Sequence, residues 1–321
     1  IKNILSWAIL KLKTKNILSA QLDAEILLAH LLKKSKEFLY TYPEKRLTAT
    51  QSNKYQTLIR RKLNSEPVAY LIGYKEFYGL DFKVNKNVLI PRAETEMMVE
   101  EIINLTTHNL QPTRLPTPDG VATGGQATFI DIGVGSGCII IALAKELLNK
   151  ELGIRNYEFY GIDISQKALR LAQFNAKKHN VNKKINFLKG DLLEPLIKKL
   201  SVVSSRLSVV IIANLPYLTR RQYQQNKELH FEPKKALVGG RNGLEYIERL
   251  FQQIKKLLAV SYLLSGDLPQ GDKLSVSVFI EIDPAQTKKI KTIIKKYYPQ
   301  SELQIKKDLC GLNRLVMLNF N

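Results

Sequence analysis

The sequence predicts an α/β protein: a doubly wound, mostly parallel seven-stranded sheet preceded by a small N-terminal helical domain. Three observations carry that prediction. From Phe129 onward, short β-branched runs alternate with helical stretches, the rhythm of strands joined by crossover helices. One run, Val209-Val-Ile-Ile-Ala213, has no polar face, as a strand covered on both sides requires. Residues 1–63, by contrast, read as a small helical unit.

The first helix rests on Ile4, Leu5, Ala8, Ile9 and Leu12, one apolar stripe without a secretory cleavage pattern. In the next, Leu22, Ile26 and Ala29 repeat at helical spacing with Leu27 and Leu31 beside them. Asp23 and Glu25 open that helix and Lys33 and Lys34 close it, in keeping with the macrodipole. His30 lies within it and is expected in the packed core rather than as a ligand. A further helix fits Thr50 to Leu63. The alternation around Gly79, from Glu76-Phe77 to Phe82, predicts a hairpin, and Glu94 and Glu96 sit where a helix to about Leu105 begins. The expected division is a helical domain at 1–72, a hairpin and linker at 73–96, and the α/β domain at 97–321.

Thr106 to Thr128, rich in Pro, Thr and Gly, predicts a mobile surface loop. Strands then follow at Phe129–Ile132, Tyr157–Ile162, Ile185–Leu188, Val209–Ala213 and Val276–Ile282. Helices fit Cys138–Asn149, Gln166–His179, Leu244–Leu258 and Ala285–Tyr298. Leu303–Lys307 and Leu315–Phe320 close the chain as neighbouring strands, which suggests an antiparallel edge. Ser261 to Lys273 is a second irregular insert, again expected to be a loop.

Of 321 residues, 45% are hydrophobic, enough for a full-sized core. There are 49 Lys and Arg against 29 Asp and Glu, a net +20, and residues 1–63 alone carry 13 against 4, or +9. Such a surface suits contact with RNA or a ribosome; solvated lysine-rich helix faces fit it equally. Cys138 and Cys310 stand far apart without nearby histidine clusters, which argues against a disulfide scaffold or zinc site, and no metal is expected. No apolar run approaches the roughly 18 residues that span a bilayer, so a cytoplasmic protein with no membrane contact is expected.

Chemistry concentrates at strand ends. Val209–Ala213 stops in Asn214-Leu215-Pro216-Tyr217, beyond the carboxyl end of its strand, where ligands of open α/β sheets sit. The Asn214 side-chain oxygen and the Leu215 carbonyl can accept two hydrogen bonds from a planar –NH₂ group, Pro216 fixes the turn, and Tyr217 covers a flat face. An ordinary Asn-x-Pro turn fits the tetrapeptide alone just as well. Upstream, Asp131-Ile-Gly133-Val134-Gly135-Ser136-Gly137 joins a strand to a helix, and its glycines let backbone turn tightly against a ligand. Position 138, small in a dinucleotide fingerprint starting at Gly133, is Cys here. Asp163 ends the next strand, placed for both ribose hydroxyls of an adenosine. Asp191 and Leu192 end the third, for the adenine amino group and face. Together they describe an adenosine pocket beside an –NH₂ clamp, the combination that N-methylation requires.

With these motifs the chain resembles the protein-(glutamine-N5) methyltransferases that modify the Gly-Gly-Gln glutamine of class-I peptide chain release factors. The resemblance spans the chain: Glu66-Pro67, Ala69-Tyr70, Glu76-Phe77, Gly79-Leu80, Leu89-Ile-Pro-Arg92, Thr95-Glu96, the glycine loop, Asp163, Asn214 with Pro216-Tyr217, Glu232-Pro233, Gly239-Gly240, Asp308-Leu309 and Arg314. It implies a class I, Rossmann-like methyltransferase that uses S-adenosylmethionine, held by Gly133 to Gly137, Asp163, Leu192 and Asn214. It further implies that Asn214 to Tyr217, with Arg92, hold the glutamine, that the N-terminal domain docks the release factor, and that the protein is monomeric. Leu215 departs from the family's usual Asn-Pro-Pro-Tyr, Ala93 from a common proline, Asp283 from a usual glycine and Leu192 from a frequent aromatic. Asn-Leu-Pro-Tyr is also typical of ribosomal RNA adenine dimethylases, one alternative; a non-catalytic ribosome-associated module that binds S-adenosylmethionine is another. Gly124-Gly125-Gln126 repeats the family's target tripeptide, here expected within the flexible loop.

Overall fold

The computed structural model describes residues 1–108, 126–149, 156–202, 207–265 and 275–320. Five helices come first: α1 (Lys2–Lys13), α2 (Ala20–Leu32), α3 (Lys36–Thr41), α4 (Ala49–Leu63) and α5 (Val68–Ile72). Leu5, Ala8 and Leu12 pack with Leu27, Leu28, Tyr55 and Ile59 in a core of their own. The Tyr55 hydroxyl donates to the Ala24 carbonyl at 2.8 Å, and Thr48 and Gln51 form a capping box at the start of α4.

Two expectations for α2 are corrected. Leu22 is 47% exposed, and His30 lies at the surface beside Tyr74 instead of in the core. The inward face carries Ala20, Ala24, Leu27 and Leu28, small side chains that let α1 and α4 approach. Asp23 and Glu25 do more than meet the helix dipole, for both are buried. Asp23 lies 3.3 Å from the equally buried Lys62 ammonium, and Glu25 accepts from the Tyr40 hydroxyl. Lys62 also lies 3.8 Å from Glu228, so it is removal of Lys62 that leaves the buried Asp23 without its counter-charge, at a cost of about 3–5 kcal/mol.

The hairpin pairs β1 (Tyr74–Phe77) with β2 (Leu80–Lys83), and a single 3₁₀ turn at Ala93–Thr95 leads into α6 (Glu96–His108). The larger sheet contains β3 (Gln126–Ile132), β4 (Asn156–Asp163), β5 (Ile185–Lys189), β6 (Leu207–Ala213), β7 (Ser275–Glu281), β8 (Glu302–Lys307) and β9 (Asn313–Phe320). Its order is β5-β4-β3-β6-β7-β9-β8, parallel except where β9 runs antiparallel between β7 and β8. The helices between are α7 (Cys138–Asn149), α8 (Gln166–Lys178), α9 (Glu194–Val202), α10 (Arg220–Gln225), α11 (Lys234–Leu237), α12 (Glu245–Ser265) and α13 (Thr287–Tyr297). Alternate strand residues face opposite layers: Ile130 and Ile132 pack in the cluster of α9, α12 and α13, Phe129 in that of α6, α7 and α8.

Phe77 and Phe82 of the hairpin are buried in this second layer, each worth about 1.5–3 kcal/mol of burial. Asn175 of α8, fully buried, bonds both backbone groups of Lys83 and the Ser136 carbonyl, tying the hairpin to the glycine loop.

The expectation of a loop from Thr106 to Thr128 is corrected at both ends. Thr106 stays in α6, where its hydroxyl caps the Ile102 carbonyl at 2.7 Å, and Gln126 already opens β3, paired with Asn156 and Leu207. Residues 109–125 of that expectation lie outside the described residues. Likewise α12 continues through Ser265, and residues 266–273 of the second expected loop lie outside the description.

Candidate active site

The strand order turns back at β3: the chain proceeds outward through β4 and β5, then returns to place β6 on the other side. A crevice for ligands opens at such a switch point, beyond the carboxyl ends of the strands. Ile132 pairs with both Ile162 and Ala213, so the glycine loop lies between Asp163 and Asn214. A cavity of about 370 Å³ occupies this place, within the usual range for small-molecule sites. Gly133, Gly135, Asp163, Asp191, Leu192 and Asn214 all line it.

Each member is held by identifiable bonds. Asp163 Oδ2 accepts the Gly135 N–H at 3.0 Å and Oδ1 the Ser165 N–H at 2.8 Å. Burial raises its carboxyl above the ordinary range, opposed by these two bonds. A carboxylate has about four acceptor positions, so both oxygens retain capacity for a ligand's hydroxyls. Gly137 cannot be larger: its φ is 85°, and a Cβ there would lie 2.8 Å from Ile141 Cδ1 and 3.2 Å from Ala172 Cβ. Val134 and Ser136 are buried beneath the loop, away from the cavity wall. Leu192 takes a left-handed φ of 55°, costly for a side chain of its size. Asp191 is engaged by Arg249 of α12 through Oδ2. Beneath the loop, Asp131 is buried with Oδ2 unpartnered, and burial pushes its carboxyl up to about 7.

A second cavity of about 170 Å³ adjoins the first, sharing Leu89, Asn214, Leu215 and Ala236 and adding Arg92 and Tyr217. Asn214 and Leu215 therefore lie at the junction of the two spaces, with Pro216 lining only the larger and Tyr217 only the smaller. Pro216 is backed by Gly239, whose missing Cβ would lie 2.0 Å from the Pro216 carbonyl oxygen. The Leu215 side chain is buried against the glycine loop, its Cδ2 nearest to where a Gly133 Cβ would stand.

Three polar residues hold these parts: Glu281, which the sequence did not single out, and Thr95 and Glu232, which stood there only as motif residues without a role. Glu281, the last residue of β7, accepts from Asn214 Nδ2 at 3.0 Å, from Thr95 Oγ1 at 2.6 Å and from the Tyr217 hydroxyl at 3.3 Å. Thr95 Oγ1 also accepts from Asn214 Nδ2 at 3.2 Å. Glu232 takes the Arg92 guanidinium at 2.5 Å and the Ile90 N–H at 2.9 Å, which fastens the Leu89-Ile-Pro-Arg92 segment over the site. A carboxylate directly after the apolar run Val278-Phe279-Ile280, as Glu281 is, was the available signal. Among the described residues no His, Cys, Asp and Glu cluster is arranged to hold a metal, and no helix is long and apolar enough to cross a membrane.

Comparison with known proteins matches residues 3–73 to the PrmC N-terminal domain and residues 124–293 to a methyltransferase domain. Among solved structures, the hMettl16 catalytic domain bound to a MAT2A 3′UTR hairpin shares the fold, with a TM-score of 0.51 and 12% identity over 85% of this chain and 82% of that one. The release factor glutamine methyltransferase of Dictyoglomus turgidum is 32% identical over 98% of this chain and 97% of its own length. That of Coxiella burnetii is 33% identical over 92% of this chain and 91% of its own. Matched nearly end to end in both directions, the chain belongs to the release factor glutamine methyltransferase family.

Proposed function

We propose that this protein transfers a methyl group from S-adenosylmethionine to the side-chain amide nitrogen, N5, of the glutamine in the Gly-Gly-Gln motif of class-I peptide chain release factors. The observation that carries the reading is Asn214, at the junction of the two cavities with its Nδ2 committed to Glu281 and Thr95. Its Oδ1 remains to accept from a substrate amide.

The larger cavity fits the cofactor's chemistry: an anchored carboxylate, Asp163, for ribose hydroxyls, apolar Ile164 and Leu192 for a base, and a glycine loop that admits close approach. Gly133, Gly135, Asp163, Asp191, Leu192 and Asn214 would hold it, with Val134, Ser136 and Gly137 shaping the loop from behind. When bound, S-adenosylmethionine supplies a methyl group on a sulfonium, so a neutral thioether leaves.

The chain's residues then supply position. An amide nitrogen is a poor nucleophile because its lone pair is delocalised. Asn214 Oδ1 and the Leu215 carbonyl accept its two N–H groups and aim the nitrogen toward the larger cavity. Tyr217 covers the amide face, and the surplus proton passes to water after transfer. Positioning of this kind supplies about 7–11 kcal/mol of a barrier in favourable cases.

Residues 1–72 serve in this reading as the docking domain, 73–96 as the connecting hairpin and 97–321 as the methyltransferase domain. A groove of about 1,500 Å³ supports this, lined by Lys33, Lys34, Lys36, Lys54 and Lys75 and reaching Arg92, which also lines the smaller cavity. It suits an acidic flank of the release factor. The ribosomal RNA adenine reading gains no support from relatives named for the release factor glutamine. The test is wild-type protein with methyl-labelled S-adenosylmethionine and an intact release factor, scored for one methyl on the Gly-Gly-Gln glutamine; no label on the factor would refute it.

A further inference from the structure

We propose that Glu281 is a positioning residue: it dictates which end of the Asn214 amide faces the substrate. This rests on the methyl-transfer reading above. Asn214 can present either an acceptor oxygen or a donor –NH₂ to the junction of the cavities, and only the oxygen can receive a substrate N–H.

The neighbours decide. An ionised carboxylate only accepts hydrogen bonds, and Glu281 Oε2 lies 3.0 Å from Asn214 Nδ2. The Thr95 hydroxyl spends its one proton on the same oxygen at 2.6 Å, so it too meets Asn214 as an acceptor, at 3.2 Å. Asn214 thus faces two acceptors at once. Turning the amide over would set Oδ1 against both oxygens with no proton between them, the costly arrangement for a polar group out of water. Glu281 is 1% and Thr95 3% exposed, so water has little access to repair the mismatch. The device joins the end of β7, the turn before α6 and the loop after β6, residues 67 to 186 positions apart in the chain.

The charges around Glu281 are Arg314 of β9, itself paired with Asp308, Glu94 in the turn beside Thr95, and the Tyr217 phenol. Burial raises the Glu281 carboxyl above the usual range; the Thr95 bond, Arg314 and the Tyr217 bond act against it, and Glu94 adds to it. Once protonated, Glu281 becomes a donor and the constraint on Asn214 lapses. Activity should therefore fall on the acid side through the Glu281 titration.

The experiment uses the full chain with an intact release factor. Glu281→Ala should lower kcat about tenfold or more, while the Kd for S-adenosylmethionine and the KM for the factor change by about twofold at most. In an Asn214→Ala background, the same change should cost nothing further in single turnover, because there is no amide left to orient. Glu281→Gln, which is isosteric and keeps one acceptor, should recover part of the activity and lose the acid limb of the kcat profile. A Glu281→Ala enzyme within about twofold of wild-type kcat, or an equal loss in the Asn214→Ala background, would overturn the proposal. Should Glu281→Ala fail to fold, an unchanged acid limb in Glu281→Gln would overturn it alone. Wild type that leaves the factor unlabelled refutes the parent reading; a working wild type indifferent to Glu281 refutes only this inference.

Discussion

Replacing Asp163 with Ala perturbs the cavity in two ways that separate measurements resolve. The carboxylate holds the Gly135 and Ser165 N–H groups at 3.0 and 2.8 Å. Both bonds are partly buried and water can reach their donors, so each loss falls near the low end of the range, about 1 kcal/mol. For a protein of this size, about 2 kcal/mol lowers the melting temperature by a few degrees. The ligand effect is larger in observable terms. Bonds from ribose hydroxyls to a charged acceptor are worth about 1–3 kcal/mol in all, which raises the Kd for S-adenosylmethionine roughly 5- to 150-fold. Calorimetric titration measures that Kd and thermal unfolding measures the fold. Asp163→Asn, which retains one acceptor oxygen, should fall between wild type and Ala in both. A folded Asp163→Ala protein with wild-type Kd would place the ribose elsewhere and refute the assignment of the cavity.

Other outcomes follow from the same contacts. Asn214→Ala should reduce kcat by at least about a hundredfold while changing the Kd for S-adenosylmethionine far less, since its oxygen acts mainly in the transition state; single-turnover rates and titration give both numbers. Leu215→Pro should keep the carbonyl and most activity yet lower the melting temperature, because the Leu215 side chain is buried against the glycine loop and a cavity would replace it. Reversing Lys33, Lys34 and Lys36 to Glu should raise the KM for a release factor at low salt and leave cofactor affinity alone, with the difference shrinking as salt screens exposed charge. Asp131 holds its proton in the folded state up to about pH 7, against about 3.8 for an ordinary aspartate, so wild-type stability should decline as pH rises between those values. At about 1.4 kcal/mol per pH unit the loss is roughly 4 kcal/mol, and Asp131→Asn should remove it, melting above wild type at pH 8 but not at pH 5.

The fold was legible because its strands are short, β-branched and separated by strongly periodic helices. The helix Cys138–Asn149 has the expected bounds, and the hairpin turns at Gly79 as anticipated. The residues proposed for the clamp and the glycine loop stand out for a related reason: they are contiguous and close a strand. The roles of Glu232, Thr95 and Glu281 depend on contacts across the chain. Glu232 meets Arg92 from 140 positions away, and Glu281 meets Thr95 from 186; neither pairing leaves a local trace. His30 was misplaced because α2, Ala-Gln-Leu-Asp-Ala-Glu-Ile-Leu-Leu-Ala-His-Leu-Leu, is apolar on most of its circumference, so periodicity alone does not select the inward face.

Gln126 shows the reverse error, in which composition outweighed register. The tripeptide Gly124-Gly125-Gln126 read as loop, yet Gln126 is hydrogen-bonded into β3 at the end away from the cavity. Six residues of strand, about 20 Å, separate it from the glycine loop. Intact mass after incubation with S-adenosylmethionine alone should show no added methyl.

The most direct test of the whole account follows the methyl label. Wild-type protein is incubated with methyl-labelled S-adenosylmethionine and, in parallel, a class-I release factor, the same factor with its Gly-Gly-Gln glutamine changed to Ala, and ribosomal RNA. The account predicts label on the intact factor alone, on the peptide that carries the glutamine. Label on the RNA, label on the Ala-substituted factor, or no label on the intact factor would contradict it.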